Sequence, residues 1–273
     1  MRWLLLVMCL ALGASVAHAR PFLGVQMHDL GPQQGTGPCV IEAVTKGTGA
    51  ELAGIRPGDV FSTIAGTEIA ACSEVITVIQ SRDPGELVAI GLRRNGLETT
   101  IKANLYSIDE ILRRRYVGRL LPSAQLISVE DRSESDFGAQ RGKTTIISWF
   151  SPATCEGCTR VLDKVVSWQK TRPAKGAPIS VVSATSDRNK TVTDNLESMK
   201  KLARSLDVPL FVTDFGTYDQ FTLAAASGDR INFMVVDQRG IVQHVALISP
   251  ESDDVRASLD ELYAAVEQAA RRH

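Results

Sequence analysis

The sequence predicts a two-domain chain, a β-rich α+β unit followed by an α/β sandwich. Three observations carry this expectation. The 273 residues leave about 250 once a leader is set aside, more than one domain of ordinary size. The first block consists of short β-like runs punctuated by glycine. The second alternates apolar strand-like runs with stretches of helical spacing. Hydrophobic residues make up 44% of the chain, enough for a core in each block, and the formal net charge is −1. That charge provides no overall basic field, so nucleic acid is not an expected partner.

Residues 1–19 have the pattern of a secretory signal. Arg2 is the positive start, Trp3 to Val16 the apolar core, and Ala17-His18-Ala19 the small-residue cleavage site ahead of Arg20. The apolar stretch is shorter than the ~20 residues of a membrane helix, though an uncleaved anchor is the alternative reading. Cys9 is preceded by Met8, which is not small, and so makes a poor lipoprotein site. No integral membrane segment is expected after cleavage, and the expected location is periplasmic or secreted.

In the first block, residues 20–105, Val40 to Val44 and Leu87 to Leu92 read as strands. Asn95-Gly96 between two such runs is a hairpin turn signal, because both central residues of that turn need positive φ. Ser73 to Gln80 is a short helix candidate ending before Asp83-Pro84-Gly85. Residues 106–121 read as a linker helix. Its run Arg113-Arg114-Arg115, with Arg119, reads as a solvated face, the alternative being a docking site for an acidic partner.

In the second block, residues 122–273, Thr144 to Phe150 is a continuous apolar run of the kind that forms a strand buried on both faces. A helix is expected from about Glu156 to Lys170, then a strand at Ile179 to Ala184. Val192, Leu196, Met199, Leu202 and Leu206 carry helical spacing. Strands follow at Pro209 to Thr213, Asn232 to Val236 and Ile241 to Ile248, and a closing helix runs from Asp253 to Ala270.

The run Gly54-Ile55-Arg56-Pro57-Gly58-Asp59-Val60-Phe61-Ser62-Thr63-Ile64-Ala65-Gly66-Thr67-Glu68-Ile69 resembles the signature of PDZ domains, above all those of periplasmic heat-shock proteases. Ala65 stands where that family commonly has asparagine. The resemblance implies a PDZ-like fold for residues 20–105. It also implies a peptide-binding loop at Phe22-Leu23-Gly24-Val25, with Leu23, Gly24 and Val25 presenting backbone amides to a C-terminal carboxylate. The peptide would add as a strand beside Val25 to Met27. The other reading is a domain that merely packs on its neighbour. No Gly-x-Ser-x-Gly occurs, and the histidines are only His18, His28, His244 and His273, so a serine-protease triad is not expected.

Ile146 to Cys158 reads as a buried strand leading into Cys155-Glu156-Gly157-Cys158 at a helix start. Helix N-terminal amides favour a thiolate, so Cys155 is the candidate nucleophile and Cys158 the resolving thiol. Zinc would need two more ligands, and no second cysteine pair or nearby histidine supplies them, so neither metal nor cofactor is expected. With Phe233-Met234-Val235-Val236-Asp237 and Gly240-Ile241-Val242, the block resembles bacterial thioredoxin-like proteins of periplasmic thiol–disulfide exchange and cytochrome maturation. The resemblance implies a thioredoxin-like α/β sandwich over residues 122–273 and a redox-active pair at Cys155 and Cys158.

Three positions depart from that family. Arg230 replaces a cis-proline, and because peroxiredoxins place a thiolate-stabilising arginine there, Arg230 is a candidate for that role, the alternative being a solvent-facing loop arginine. Trp149 replaces the buried aspartate of thioredoxin, and Thr154 the tryptophan before the first cysteine. The peroxiredoxin motif itself is not matched, because Pro152 is too close to Cys155.

The other mature cysteines, Cys39 and Cys72, form either a structural disulfide, worth roughly 3 to 4 kcal/mol by chain entropy, or two buried thiols. The composite expectation is an exported, PDZ-linked thiol–disulfide oxidoreductase. Its expected partners are protein or peptide substrates with disulfides or free C-termini, and a redox partner. The rivals are a non-catalytic adaptor with a structural Cys155–Cys158 bond and a thiol peroxidase.

Overall fold

A computed structural model describes residues 20–31, 35–136, 142–172, 178–186, 192–223 and 228–271, with the backbone alone for 192–196. The expected signal, residues 1–19, lies outside the described residues. Among the described residues no helix is long and apolar enough to cross a membrane.

The N-terminal unit is a sheet in the order β2-β3-β4-β6-β7, built from Val25–Asp29 (β2), Cys39–Val44 (β3), Val60–Ile64 (β4), Leu87–Arg94 (β6) and Leu97–Asn104 (β7). Thr67–Glu68 (β5) pairs with β4. A short helix, Gly49–Leu52 (α1), and a longer one, Cys72–Gln80 (α2), complete the unit. The β6–β7 hairpin turns at Asn95 and Gly96, whose φ angles of 50° and 81° are those that a tight two-residue turn demands. Its core holds Leu23, Cys39, Ile41, Phe61, Ile64, Val75, Ile79, Val88, Ile90 and Leu92.

Asp59 anchors the Gly58-Asp59 turn. It is 1% exposed, and its carboxylate accepts from the Arg56 amide at 2.8 Å and from Arg94 Nε at 2.7 Å. Burial alone pushes such a carboxyl upward, but the Arg94 hydrogen bond and the Arg56 amide outweigh it and hold the pKa below its usual range.

The C-terminal unit has a seven-stranded sheet in the order β10-β9-β13-β12-β11-β14-β15. Its strands are Leu126–Ser128 (β9), Glu134–Ser135 (β10), Thr144–Trp149 (β11), Ile179–Ser186 (β12), Leu210–Thr213 (β13), Ile231–Val236 (β14) and Val242–Ile248 (β15). Strands β11, β12 and β13 are parallel, while β14 and β15 join antiparallel. The helices are Cys158–Thr171 (α4), Val192–Leu206 (α5), Phe215–Thr222 (α6) and Val255–Ala270 (α7). A parallel β-α-β element followed by a β-hairpin and a helix on one sheet is the thioredoxin-like sandwich that the resemblance implies. Every residue of β11 and β14 is buried, because layers cover both faces of the sheet.

The stretch between the units holds a helix with one solvated, arginine-bearing face, and its other face is docked. Ile108–Tyr116 (α3) follows Tyr106–Ser107 (β8), and its Ile108, Ile111, Leu112 and Tyr116 are buried in the same core as Trp149, Phe221 and Met234. Each such side chain contributes about 1.5 to 3 kcal/mol on burial, so the helix is docked. Beyond it, the amides of Gly118 and Leu121 donate to Val242 and Gly240, and Val242 donates back to Arg119. Arg113, Arg114 and Arg119 are exposed as a solvated face would be, although Arg113 Nε donates to the Val245 carbonyl at 3.2 Å. At the other end, Pro21–Phe22 (β1) pairs with β8, which draws the start of the N-terminal unit onto the linker.

Candidate functional site

Two sites emerge. The first begins where β11 ends. The Cys155 and Thr154 amides both donate to the Ser151 carbonyl, curling the chain into a turn, and the Cys158 amide donates to the Cys155 carbonyl at 3.3 Å. Helix α4 therefore starts at Cys158, two residues later than the spacing predicts, and Cys155 lies in the turn at its mouth. Cys155 and Cys158 are joined by a disulfide. Cys158 is fully buried and Cys155 is 4% exposed, but Thr154 and Glu156 on either side of Cys155 are exposed, so the pair lies just under the surface.

Two neighbours frame this turn. Thr154 Oγ1 donates to the Gly228 carbonyl, and Cys155 Sγ lies 3.4 Å from the Asp229 carbonyl oxygen. On the other side, a Cβ added to Gly157 would fall 2.5 Å from Pro250 Cβ, so the residue between the cysteines is glycine because Pro250 occupies the space.

Arg230 is 16% exposed, and its Nε lies 3.7 Å from Asp229 Oδ1. It also acts on Asp109 of α3. Burial pushes the Asp109 carboxyl up, Arg113 and Arg230 pull it down, and Glu261 and Asp254 add to the rise. Arg230 thus pairs with its neighbour Asp229, and its charge also reaches the Asp109 carboxyl on the linker helix. Trp149 is fully buried and stacks on Phe221 at 4.5 Å, in the core shared with the linker helix rather than in the core that holds Cys155 and Cys158.

The second site is a groove of about 390 Å³ between β2 and α2, lined by Leu23, Val25, Met27, Val75, Ile76 and Ile79 among others. β2 is the terminal strand of its sheet, so its outer edge is open to another strand. The Leu23 carbonyl accepts from Ala50 and the Gly24 carbonyl from Thr45. Because a trans peptide points its C=O and the next N–H in opposite directions, the amides of Gly24 and Val25 face the groove. Gly24 has φ +93°, and a Cβ there would fall 2.3 Å from Thr48 Cβ, so both backbone and space require glycine.

Cys39 and Cys72 are joined by a disulfide with Cα atoms 4.8 Å apart. Asp29 Oδ1 accepts from the Cys72 amide at 2.7 Å, which caps α2 from β2. These two links hold the walls of the groove at one end.

Residues 21–105 match the model of the PDZ domain family. This segment is a PDZ domain. Among solved structures, the PDZ-containing part is similar to the HtrA-type protease AlgW with a decapeptide, at 26% identity over 32% of this chain and 29% of that one, with a TM-score of 0.30. The chain thus spans under a third of the length of the proteases it matches. The remainder is similar to a protein from Bacteroides thetaiotaomicron named as a protein disulfide isomerase, at 18% identity over 55% of this chain and 90% of that one, TM-score 0.40. It is also similar to a thiol:disulfide interchange protein DsbE from Chlorobium tepidum, at 14% identity over 55% and 97%, TM-score 0.40. No curated protein matches the chain.

The structure brings Leu23, Gly24 and Val25 of the PDZ domain together in the groove and Cys155 and Cys158 together at the mouth of α4. It also adds residues to the PDZ groove that sequence reasoning missed. Ile108 of the linker helix and Asp219 and Leu223 of the thioredoxin-like unit line it too. The helix that carries Asp219, α6, had one legible signal. Asp214 is an N-cap, accepting from the Thr217 amide at 3.0 Å.

Proposed function

We propose that the protein is an exported thiol–disulfide oxidoreductase in which Cys155 and Cys158 exchange disulfides and the PDZ groove recruits peptide or protein C-termini. The observation that supports this best is the Cys155–Cys158 pair itself, placed in a turn at the mouth of α4 and flanked by exposed Thr154 and Glu156. Helix N-terminal amides stabilise a thiolate at that place. After reduction, the Cys155 thiolate attacks a substrate disulfide and expels one substrate thiolate. Cys158 then attacks the mixed disulfide, which restores the Cys155–Cys158 bond and releases the second substrate thiol. A partner dithiol recharges the pair. The groove holds a C-terminal carboxylate on the Gly24 and Val25 amides, and an apolar last side chain fits between Leu23, Val75 and Ile79. The deciding experiment is the midpoint potential of the pair in glutathione and dithiothreitol buffers, with reduction of insulin disulfides as the activity. A potential above about −300 mV with activity supports the reading.

The low exposure of Cys155, 4%, favours a second reading, an adaptor in which this bond is structural. A potential below about −300 mV without exchange activity would assign that role instead.

A further inference from the structure

The peptide loop of the PDZ domain is shared between the two units. Leu23 lies in the PDZ core, but Phe22, one residue earlier in the same loop, packs against the core of the thioredoxin-like unit. The groove that begins at this loop is walled in part by Asp219 and Leu223, at the end of α6. Leu223 has φ +52°, a left-handed conformation that a branched side chain seldom adopts, and strain of this kind collects where surrounding structure imposes it.

The last carbonyls of a helix lack partners within it, and in α6 they are met from both directions. The Gln220 carbonyl accepts from Arg115 Nη1 at 2.8 Å and from the Tyr116 hydroxyl at 2.5 Å, both on the linker helix. Arg115 Nη2 in turn donates to Lys46, in the loop whose Thr45 and Thr48 support Gly24. The Phe221 carbonyl accepts from Asn232 Nδ2 at 2.7 Å. Asn232 is the second residue of β14, three positions after Asp229, whose carbonyl faces Cys155 Sγ. A ring ladder runs in parallel. Tyr116 stacks on Phe221 at 5.5 Å, and Phe221 stacks on Trp149 at 4.5 Å, at the end of the strand that launches the cysteine turn.

The two redox states present different chemistry to this path. In the disulfide, Cys155 Sγ carries no proton and cannot donate to the Asp229 carbonyl. Reduction by a dithiol breaks the S–S bond, oxidises that dithiol to a disulfide and leaves a proton on each sulfur. In its protonated form the Cys155 thiol then donates to Asp229, a bond it gives up when it ionises to attack a substrate. That hydrogen bond exists in one state only, which is what a linkage requires.

We infer that peptide occupancy of the PDZ groove and the thiol–disulfide state of Cys155–Cys158 are linked through Phe22, Tyr116, Phe221 and Trp149, the reduced protein holding a C-terminal peptide more tightly. The inference rests on the function proposed above and adds its regulation. The Cys155–Asp229 bond steadies the start of β14, and Asn232 passes that order to the α6 wall, so less ordering is left to the moment of binding. A reduced enzyme would then capture substrate and an oxidised one release it.

The test uses the full chain and a fluorescein-labelled pool of decapeptides with free C-termini ending in Val, Ile, Leu or Phe, with the amidated pool as control. Polarisation is read with the protein oxidised, with it reduced by dithiothreitol, and with Cys155→Ser/Cys158→Ser. The double serine variant keeps the Cys39–Cys72 bond and offers Asp229 a hydroxyl donor. The expected result is at least about threefold tighter binding by the reduced protein and by the double variant than by the oxidised protein. Reciprocally, saturating peptide raises the midpoint potential, by about 30 mV for each tenfold difference in affinity. Phe221→Leu, and independently Arg115→Ala, is expected to shrink the affinity ratio while peptide binding and insulin reduction persist. Equal affinities in both states, with binding and exchange intact, overturn the linkage and leave the proposed function standing. Absence of binding in every state, or of exchange, overturns both.

Discussion

Among the described residues the chain carries two disulfides of opposite design. Cys39 and Cys72 are 33 residues apart and both sit in the PDZ core, where they join β3 to the start of α2. Cys155 and Cys158 are three residues apart, where a turn just under the surface meets the first residue of α4. Chain entropy makes the first bond worth about 4 kcal/mol and the second about 1.5 kcal/mol, because a longer closed loop takes more freedom from the unfolded chain. The first bond therefore defines a domain and the width of its groove. Opening the second would cost the fold little, as the proposed exchange chemistry requires.

Breaking each bond tests this contrast. Cys155→Ser is expected to abolish insulin reduction while unfolding in urea shows a loss of no more than about 1.5 kcal/mol. Surviving activity would remove Cys155 from the mechanism. Cys39→Ala/Cys72→Ala is expected to lower the stability of the PDZ domain by about 4 kcal/mol, with turnover of a small-molecule disulfide unchanged. A loss of that turnover would mean that the two bonds do not differ as described.

Two smaller effects sharpen the comparison between groove and cysteine turn. Gly24→Ala forces a Cβ against Thr48 at positive φ, and about tenfold or greater loss of peptide affinity is expected, near 1.4 kcal/mol. Unchanged affinity would remove this loop from the peptide site. The smallest effect concerns pH. Burial and Arg113 push the His244 pKa down against the opposing pull of Glu261. The folded protein thus favours the neutral imidazole, and this part of its stability is present above the unfolded value of about 6.5 and lost as pH falls toward the depressed folded value. His244→Asn is expected to flatten the decline in melting temperature below about pH 6.5. An unaltered slope would assign the decline to other groups.

Much of the PDZ domain was legible because its turns demand particular residues. Gly58 has φ +88°, Asp59 is tied to Arg56 and Arg94, and Asn95-Gly96 turns the hairpin, so local chemistry reports each feature directly. The linker read less well. The arginine run marked a solvated face, but the opposite stripe of Ile108, Ile111, Leu112 and Tyr116 was not read as a docking face. One of those arginines, Arg115, instead ties α6 to the PDZ domain. Helix α6 was missed because Phe215, Gly216, Thr217 and Tyr218 are weak helix formers. Its stability comes from the Asp214 cap and from stacking on Trp149 and Tyr116.

From the sequence alone follow the two-domain order, the PDZ signature, and the strand and helix that bracket Cys155 and Cys158, whereas the peptide loop was implied only by the PDZ resemblance. These depend on turn geometry, hydrophobic period and spacing, all local along the chain. Only the tertiary structure decided which cysteines pair, that Trp149 belongs to a ring stack, that the Arg230 charge reaches the Asp109 carboxyl, and that the thioredoxin-like unit walls the peptide groove. Those outcomes depend on which faces and strand ends meet in space. Contacts between residues 100 or more positions apart leave no periodic trace in the residues that make them.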